Sequence, residues 1–263
     1  MPGVAARKGN DQPLVMVTAY DAVFASLVDE AGVDMILVGD SVATVVQGRK
    51  NTLGVTMEQM EYHTEMVASA RPKALVVGDM PFGSYHESNE QAVRNAVRLV
   101  RAGAECVKLE GGSRVAERIA AIVRADIPVM VHVGLTPQSF HRMGGHRIQG
   151  RSQGDDASSA RRVLEDAHAV DQAGAFAVVV EGVPATLGRD ITVKIPAPTI
   201  GIGAGPDCDG QVLVLHDILG LSNRLPSFAR SWADGRRTVI DAVASFAAGV
   251  RDREWPDSEH TTA

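Results

Sequence analysis

Cysteine is scarce in this chain: Cys106 and Cys208 are the only two in 263 residues. That is too few for a disulfide framework, and the pair has no metal-ligand spacing. Long apolar runs are missing as well, none approaching the roughly 20 residues that span a bilayer. There is no cationic excess, since 26 Lys and Arg face 32 Asp and Glu for a formal charge of -6. Without surplus cations to replace phosphate counterions, nucleic acid is not an expected partner. The opening stretch "MPGVAARKGNDQP" has no apolar core of the signal-peptide kind. The expectation is a reduced, soluble, cytoplasmic protein.

What the chain does have is hydrophobic content of 45%, enough for a sizeable core. Strand-like runs lie at 14–19, 34–39, 74–79, 106–110, 127–133, 175–181, 198–203 and 211–216. Several are continuously apolar, as strands covered on both faces are. Helical patterns alternate with them. Asp21 is placed to cap one helix that Gly32 ends; Thr56 with Gln59, and Ser88 with Gln91, read as capping boxes; another helix starts near Ser158 and stops at Gly174. The alternation predicts an α/β fold, a (β/α)8 barrel occupying 1–263 as a single domain, with a polar tail from about 251. An open doubly wound sheet fits the same alternation. Two connections are long, 41–55 and 134–157, and loops of that length commonly serve as lids or ligand-binding segments.

Five of these runs carry a polar residue at or next to their carboxyl end: Asp40, Asp79, Glu110, His132 and Glu181. Barrel active sites form at the carboxyl ends of strands. In "CVKLEG", Cys106, Lys108 and Glu110 share one face of the strand and Val107 and Leu109 the other. With the apolar pair turned to helices, Lys108 and Glu110 point into the barrel, where a lysine must be paired or functional. Singly, each residue has a plainer role: a cap at Asp40 or Asp79, a core histidine at His132, a turn residue at Glu181, a structural pair at Lys108 and Glu110. Jointly they suit a hard divalent cation such as Mg²⁺, which prefers oxygen ligands; zinc would call for a histidine or cysteine cluster. "GIGAG" at 201–205 lacks dinucleotide spacing, leaving close packing or a phosphate loop. His216-Asp217 has no G-x-S-x-G partner and reads as structural. Arg142, His146, Arg147 and Arg151 form a basic loop, either a solvated face or an anion contact.

From about Val17 to Leu221 the chain resembles the ketopantoate hydroxymethyltransferase (3-methyl-2-oxobutanoate hydroxymethyltransferase) family. The resemblance is carried by "VTAYDAVFA", "MILVGDSV", "TLGVTMEQMEYHT", "VVGDMPFGSY", "VKLEGG", "PVMVHVGLTPQS", "QGR", "VVVEGVP" and "GIGAGPDCDGQVLVLHDILGL". It implies a (β/α)8 TIM barrel of the phosphoenolpyruvate/pyruvate superfamily type, one Mg²⁺ per subunit, 5,10-methylenetetrahydrofolate as co-substrate, and a homodecamer. By motif, Asp40, Asp79 and Glu110 would form the metal shell. Asp40, Ser41, Asp79, Lys108 and His132 would contact the oxoacid, and Glu181 would be the general base. The reaction implied is hydroxymethyl transfer to C3 of 2-oxoisovalerate (3-methyl-2-oxobutanoate), giving ketopantoate for pantothenate biosynthesis. The chain departs from the family pattern at Val42-Ala43 (usually Leu-Gly), Gly54 (usually Pro) and His146-Arg147-Ile148 (usually Tyr-Lys), none of them an implied ligand. A related Mg-dependent aldolase or lyase acting on another 2-oxoacid is the alternative enzyme. A non-catalytic acid sensor is the alternative from another class, and it would not need a base.

Overall fold

The structure, a computed structural model, describes residues 2–151 and 159–261. The chain divides into two compact units, Met1–Val214 and Leu215–Ala263. In the first, eight parallel strands close in chain order: β1 (Leu14–Thr18), β2 (Met35–Val38), β3 (Leu75–Asp79), β4 (Cys106–Glu110), β5 (Val129–Gly134), β6 (Ala177–Glu181), β7 (Thr199–Ile202) and β8 (Gly210–Leu213). The pairing of β1 with β8 closes the barrel and excludes the open sheet.

Strand alternation sorts the side chains. Leu14, Met16, Met35, Leu37, Val77, Cys106, Met130, Ala177, Val179, Ile200 and Val212 pack together as one buried cluster inside the barrel. Their alternates, among them Ile36, Val76, Val107, Leu109, Val131 and Val178, are buried on the outer face, as in a parallel sheet covered on both sides. Val4, on the short helix Pro2–Ala5, joins the interior cluster. Lys8 follows it and donates to Asp209 Oδ2 at 3.0 Å.

Several strand limits move for physical reasons. β5 begins at Val129, not 127, because Pro128 has no N–H for the ladder. β2 ends at Val38, so Asp40 belongs to the turn after the strand. β8 ends at Leu213, and His216 lies in the helical turn Leu215–Ile218. There Asp217 Oδ1 accepts a hydrogen bond from Ser222 Oγ at 2.5 Å, a structural use of that carboxylate.

The helix starts follow local chemistry. Asp21 Oδ1 accepts from the Phe24 amide, and Thr56 with Gln59 forms a complete capping box. Ser88 caps its helix, but the Gln91 side chain accepts from the amide of Glu87, not of Ser88, so the second box is only half formed. The helix expected near Ser158 runs Ala160–Gln172 with Ser159 as its cap; Ser158 itself and the 152–157 part of the long loop lie outside the described residues. In "GIGAG", Gly205 is closely packed. A Cβ on Gly205 (φ +85) would lie 2.5 Å from the Ala185 Cβ. In the second unit, the 17-residue helix Gly235–Arg251 is capped by Asp234. It was not among the expected elements.

Candidate active site

The interior parity of β3 to β6 continues past the apolar cluster into charge. Residue 77 leads to Asp79, 106 to Lys108 and Glu110, 130 to His132, and 179 to Glu181. Strand register places neighbours side by side: Asp79 opposite Lys108, Glu110 opposite His132, and Gly134 opposite Glu181. Asp40 arrives from the turn after β2, its amide donating to Asp79 Oδ2 at 3.1 Å.

Lys108 Nζ lies 2.9 Å from both oxygens of Asp79 and 4.0 Å from Glu110 Oε1. Beyond Glu110, His132 bridges two acids, with Nδ1 3.4 Å from Glu110 Oε1 and Nε2 3.2 Å from Glu181 Oε2. Both contacts are close in distance but misaligned, so neither imidazole nitrogen nor Glu110 Oε1 has a well-formed hydrogen bond. The side chains of Asp79, Lys108, Glu110 and His132 are essentially buried, whereas that of Glu181 is 13% exposed, the most open of the charged chain. Ser41 stands beside Asp40, its hydroxyl 2.8 Å from the Tyr20 phenol.

The electrostatics are those of crowded carboxylates in a dry site. Burial first, then repulsion from Asp79 and Glu110, pushes Asp40 up to about 8. Asp79 is raised by burial even though Lys108 opposes the shift. For His132, burial pulls downward, but the contact with Glu110 prevails and raises it to about 9, so the ring is cationic at neutral pH. Burial likewise disfavours the charge on Glu110, yet the His132 contact and Lys108 hold it below the usual carboxylate range. Lys108 stays above the normal lysine value because Asp79, Glu110 and Asp40 outweigh its burial. With every group ionised, four acids face two cations, a net charge of −2.

All six charged residues singled out at strand ends are therefore gathered in one place. The basic loop is less unified. Arg142 donates to Ser139 Oγ at 3.3 Å, His146 lies edge-on to Phe140, and Arg151 is exposed. At Gly54 a Cβ would meet the end of the Arg49 side chain, whose guanidinium donates to the Gly54 carbonyl. Two contributors escaped sequence reasoning, Tyr85 and Gln138, both from loops and both bonded to Glu110. Their only signal was a place inside quoted motifs.

The profile of the family described as ketopantoate hydroxymethyltransferase matches residues 1–258. The chain belongs to the ketopantoate hydroxymethyltransferase family. It is 56% identical over 247 residues to the 3-methyl-2-oxobutanoate hydroxymethyltransferase of Ignicoccus hospitalis, covering 94% of this chain and 92% of that one. To the protein of the same name from Geobacter metallireducens it is 53% identical, over 97% of this chain and 94% of the relative. The chain is accordingly a hydroxymethyltransferase acting on a 2-oxoacid, not a sensor. Among solved structures it is similar to phosphonopyruvate hydrolase, with a TM-score of 0.62 at 15% identity, covering 98% of this chain and 89% of that one. It is also similar to 2,3-dimethylmalate lyase, a PEP mutase/isocitrate lyase superfamily member, with a TM-score of 0.59 at 17% identity over 99% and 90% of the two chains. These two share the barrel fold. No helix among the described residues is long and apolar enough to cross a membrane.

One glycine ties the fold to the site. Gly134 ends β5 at φ +90, and a Cβ there would lie 2.4 Å from the carbonyl oxygen of Glu181. Gly134→Ala is expected to cost about 1–3 kcal/mol in backbone strain and to push Glu181 off its position. Thermal melting and turnover should both fall; a variant with unchanged melting and unchanged kcat would contradict this reading.

Proposed function

We propose that this chain transfers a hydroxymethyl group from 5,10-methylenetetrahydrofolate to C3 of 3-methyl-2-oxobutanoate, by enolising the oxoacid beside a bound Mg²⁺. The observation that carries the reading is the charged chain running from Asp40 to Glu181, which ends in its most exposed carboxylate.

The donor set fits such an ion. A net charge of −2 is what a divalent cation neutralises, and Glu110 Oε1 is a buried oxygen without a hydrogen-bond donor. Among the described residues, no three His, Cys, Asp or Glu side chains cage an ion by themselves. Mg²⁺ completes its octahedron with water and substrate oxygens and does not need an all-protein cage. Asp40, Asp79 and Glu110 would hold it. When bound, the ion supplies Lewis-acid stabilisation of negative charge developing on the keto oxygen.

The chain's own residues do the remainder. Lys108, fixed by both oxygens of Asp79, keeps an ammonium beside the oxoacid in a site where charge is weakly screened. Ser41 presents a hydroxyl to the substrate carboxylate. His132, between Glu110 and Glu181, lies 3.2 Å from Glu181 Oε2 and orients that carboxylate toward the opening. Glu181 takes the C3 proton, and the electron pair left on C3 forms the new bond to the methylene carbon of the folate donor. Water adds at that methylene carbon and supplies the hydroxyl oxygen; both of its C–N bonds break, the two nitrogens take up the proton released by water and the one held by Glu181, and tetrahydrofolate leaves.

The same reading makes the chain a cytoplasmic homodecamer, supported by its family membership. The test is ketopantoate formation from oxoacid, methylenetetrahydrofolate and Mg²⁺. Product that requires the folate and disappears with chelator is the expected result; folate-independent turnover would refute the donor.

A further inference from the structure

The metal-site carboxylates do not stand alone. Gln138, from the loop after β5, is a buried glutamine bonded to three different strand ends. Its Nε2 donates to Asp40 Oδ2 and to the Met80 carbonyl, both at 3.0 Å, and its main-chain N–H donates to Glu110 Oε2 at 2.9 Å. Its Oε1 accepts from the Tyr85 hydroxyl at 2.6 Å, and that same phenol oxygen accepts from the Glu110 amide at 3.2 Å. The bonds form a closed ring: Glu110 N–H to Tyr85, Tyr85 to the Gln138 amide, and Gln138 N–H back to the Glu110 carboxylate.

The chemistry of the partners fixes the amide's orientation. Two acceptors, a carboxylate and a carbonyl, lie on one side, and a phenol hydroxyl lies on the other. A flipped amide would aim its oxygen at two acceptors and leave them without a donor in a buried site. The two acceptors therefore set which end of Gln138 faces Asp40, and the fully buried Tyr85 donates to the oxygen at the other end.

We infer that Tyr85 and Gln138 are a positioning pair: by pinning Oδ2 of Asp40 and Oε2 of Glu110, they leave the other oxygen of each acid presented to the cation. The inference rests on the proposed metal site. Neither residue touches the reacting atoms. Both act through Asp40 and Glu110, as outer partners that orient metal ligands commonly do.

The test is calorimetry of Mg²⁺ binding to the parent protein, Tyr85→Phe, Gln138→Leu and the double variant, with melting curves to establish that each is folded. Gln138→Leu should weaken Mg²⁺ binding roughly 10–100-fold, and Tyr85→Phe should weaken it in the same direction. Because both act in one ring, the double variant should be little worse than Gln138→Leu alone. In turnover assays the variants should need more Mg²⁺ for half-maximal activity but recover most of the parent kcat at saturation, which a general packing defect would not produce. Folded variants with parental Mg²⁺ affinity, or fully additive losses, would overturn the pair's role and leave the metal site standing. A parent protein that binds no Mg²⁺ would remove both. Should Gln138→Leu not fold, Tyr85→Phe, which deletes a single oxygen, decides by the same criteria.

Discussion

Glu181→Gln is expected to lower turnover by roughly 10²–10⁴-fold, the range typical of a lost general base, while Mg²⁺ and oxoacid affinities stay within about twofold of the parent. The amide keeps the size and shape of the carboxylate and still reaches toward His132 Nε2, now 3.2 Å from Glu181 Oε2. What disappears is the capacity to take a proton. Asp79, Glu110 and His132 are buried against charged neighbours, whereas the Glu181 side chain is the more exposed acid. Rate measurements at saturating substrate, paired with binding calorimetry, separate the roles. If Glu181→Gln loses metal binding instead, Glu181 belongs with Asp40 and Asp79, and the base must be sought elsewhere.

Asp79→Asn is expected to weaken Mg²⁺ binding at least tenfold and to lower stability as well. Its two oxygens each hold the Lys108 ammonium at 2.9 Å. With the Asp79 charge gone, the buried lysine keeps an amide oxygen there and Glu110 at 4.0 Å, and breaking a buried ion pair typically costs about 3–5 kcal/mol. Protons report on the same site. In the parent, Asp40 is held up to about 8 by burial and by its acidic neighbours, so it is mostly protonated at pH 7 before an ion arrives. Its folded-state value is raised, so the proton is bound below about pH 8 and gone above it. Mg²⁺ uptake at pH 7 should therefore release protons, Asp40's among them, and at pH 9.5 distinctly fewer, measurable by calorimetry in buffers of different ionisation enthalpy. Unchanged Mg²⁺ affinity in Asp79→Asn would remove Asp79 from the metal shell.

The sequence was most informative where strand alternation operates. In 106–110 the pattern Cys-Val-Lys-Leu-Glu assigns Lys108 and Glu110 to the interior, and the barrel register then brings Asp79 and His132 beside them. Asp40 came to the site by another route, a turn after β2, which a periodicity of two does not encode. Gly134 illustrates a second limit: its need for a missing side chain arises from the backbone of Glu181, nearly fifty positions away. Tyr85 and Gln138 illustrate a third. Loop residues carry no periodic signal, and their value lies in a bond between positions 53 apart. The swap of Gln91 from Ser88 to Glu87 is smaller but of the same kind, since two neighbouring amides compete for one side-chain oxygen.

Enolisation of a 2-oxoacid beside a metal ion, with Glu181 as base, can be followed by proton NMR. The C3 proton signal of 3-methyl-2-oxobutanoate is followed in D₂O with protein and Mg²⁺ and without folate. Loss of that signal that depends on the enzyme, stops with chelator and is absent in Glu181→Gln is the result expected. Retention of the C3 proton with Mg²⁺ bound, both alone and after addition of a tetrahydrofolate that lacks the one-carbon unit, would contradict it.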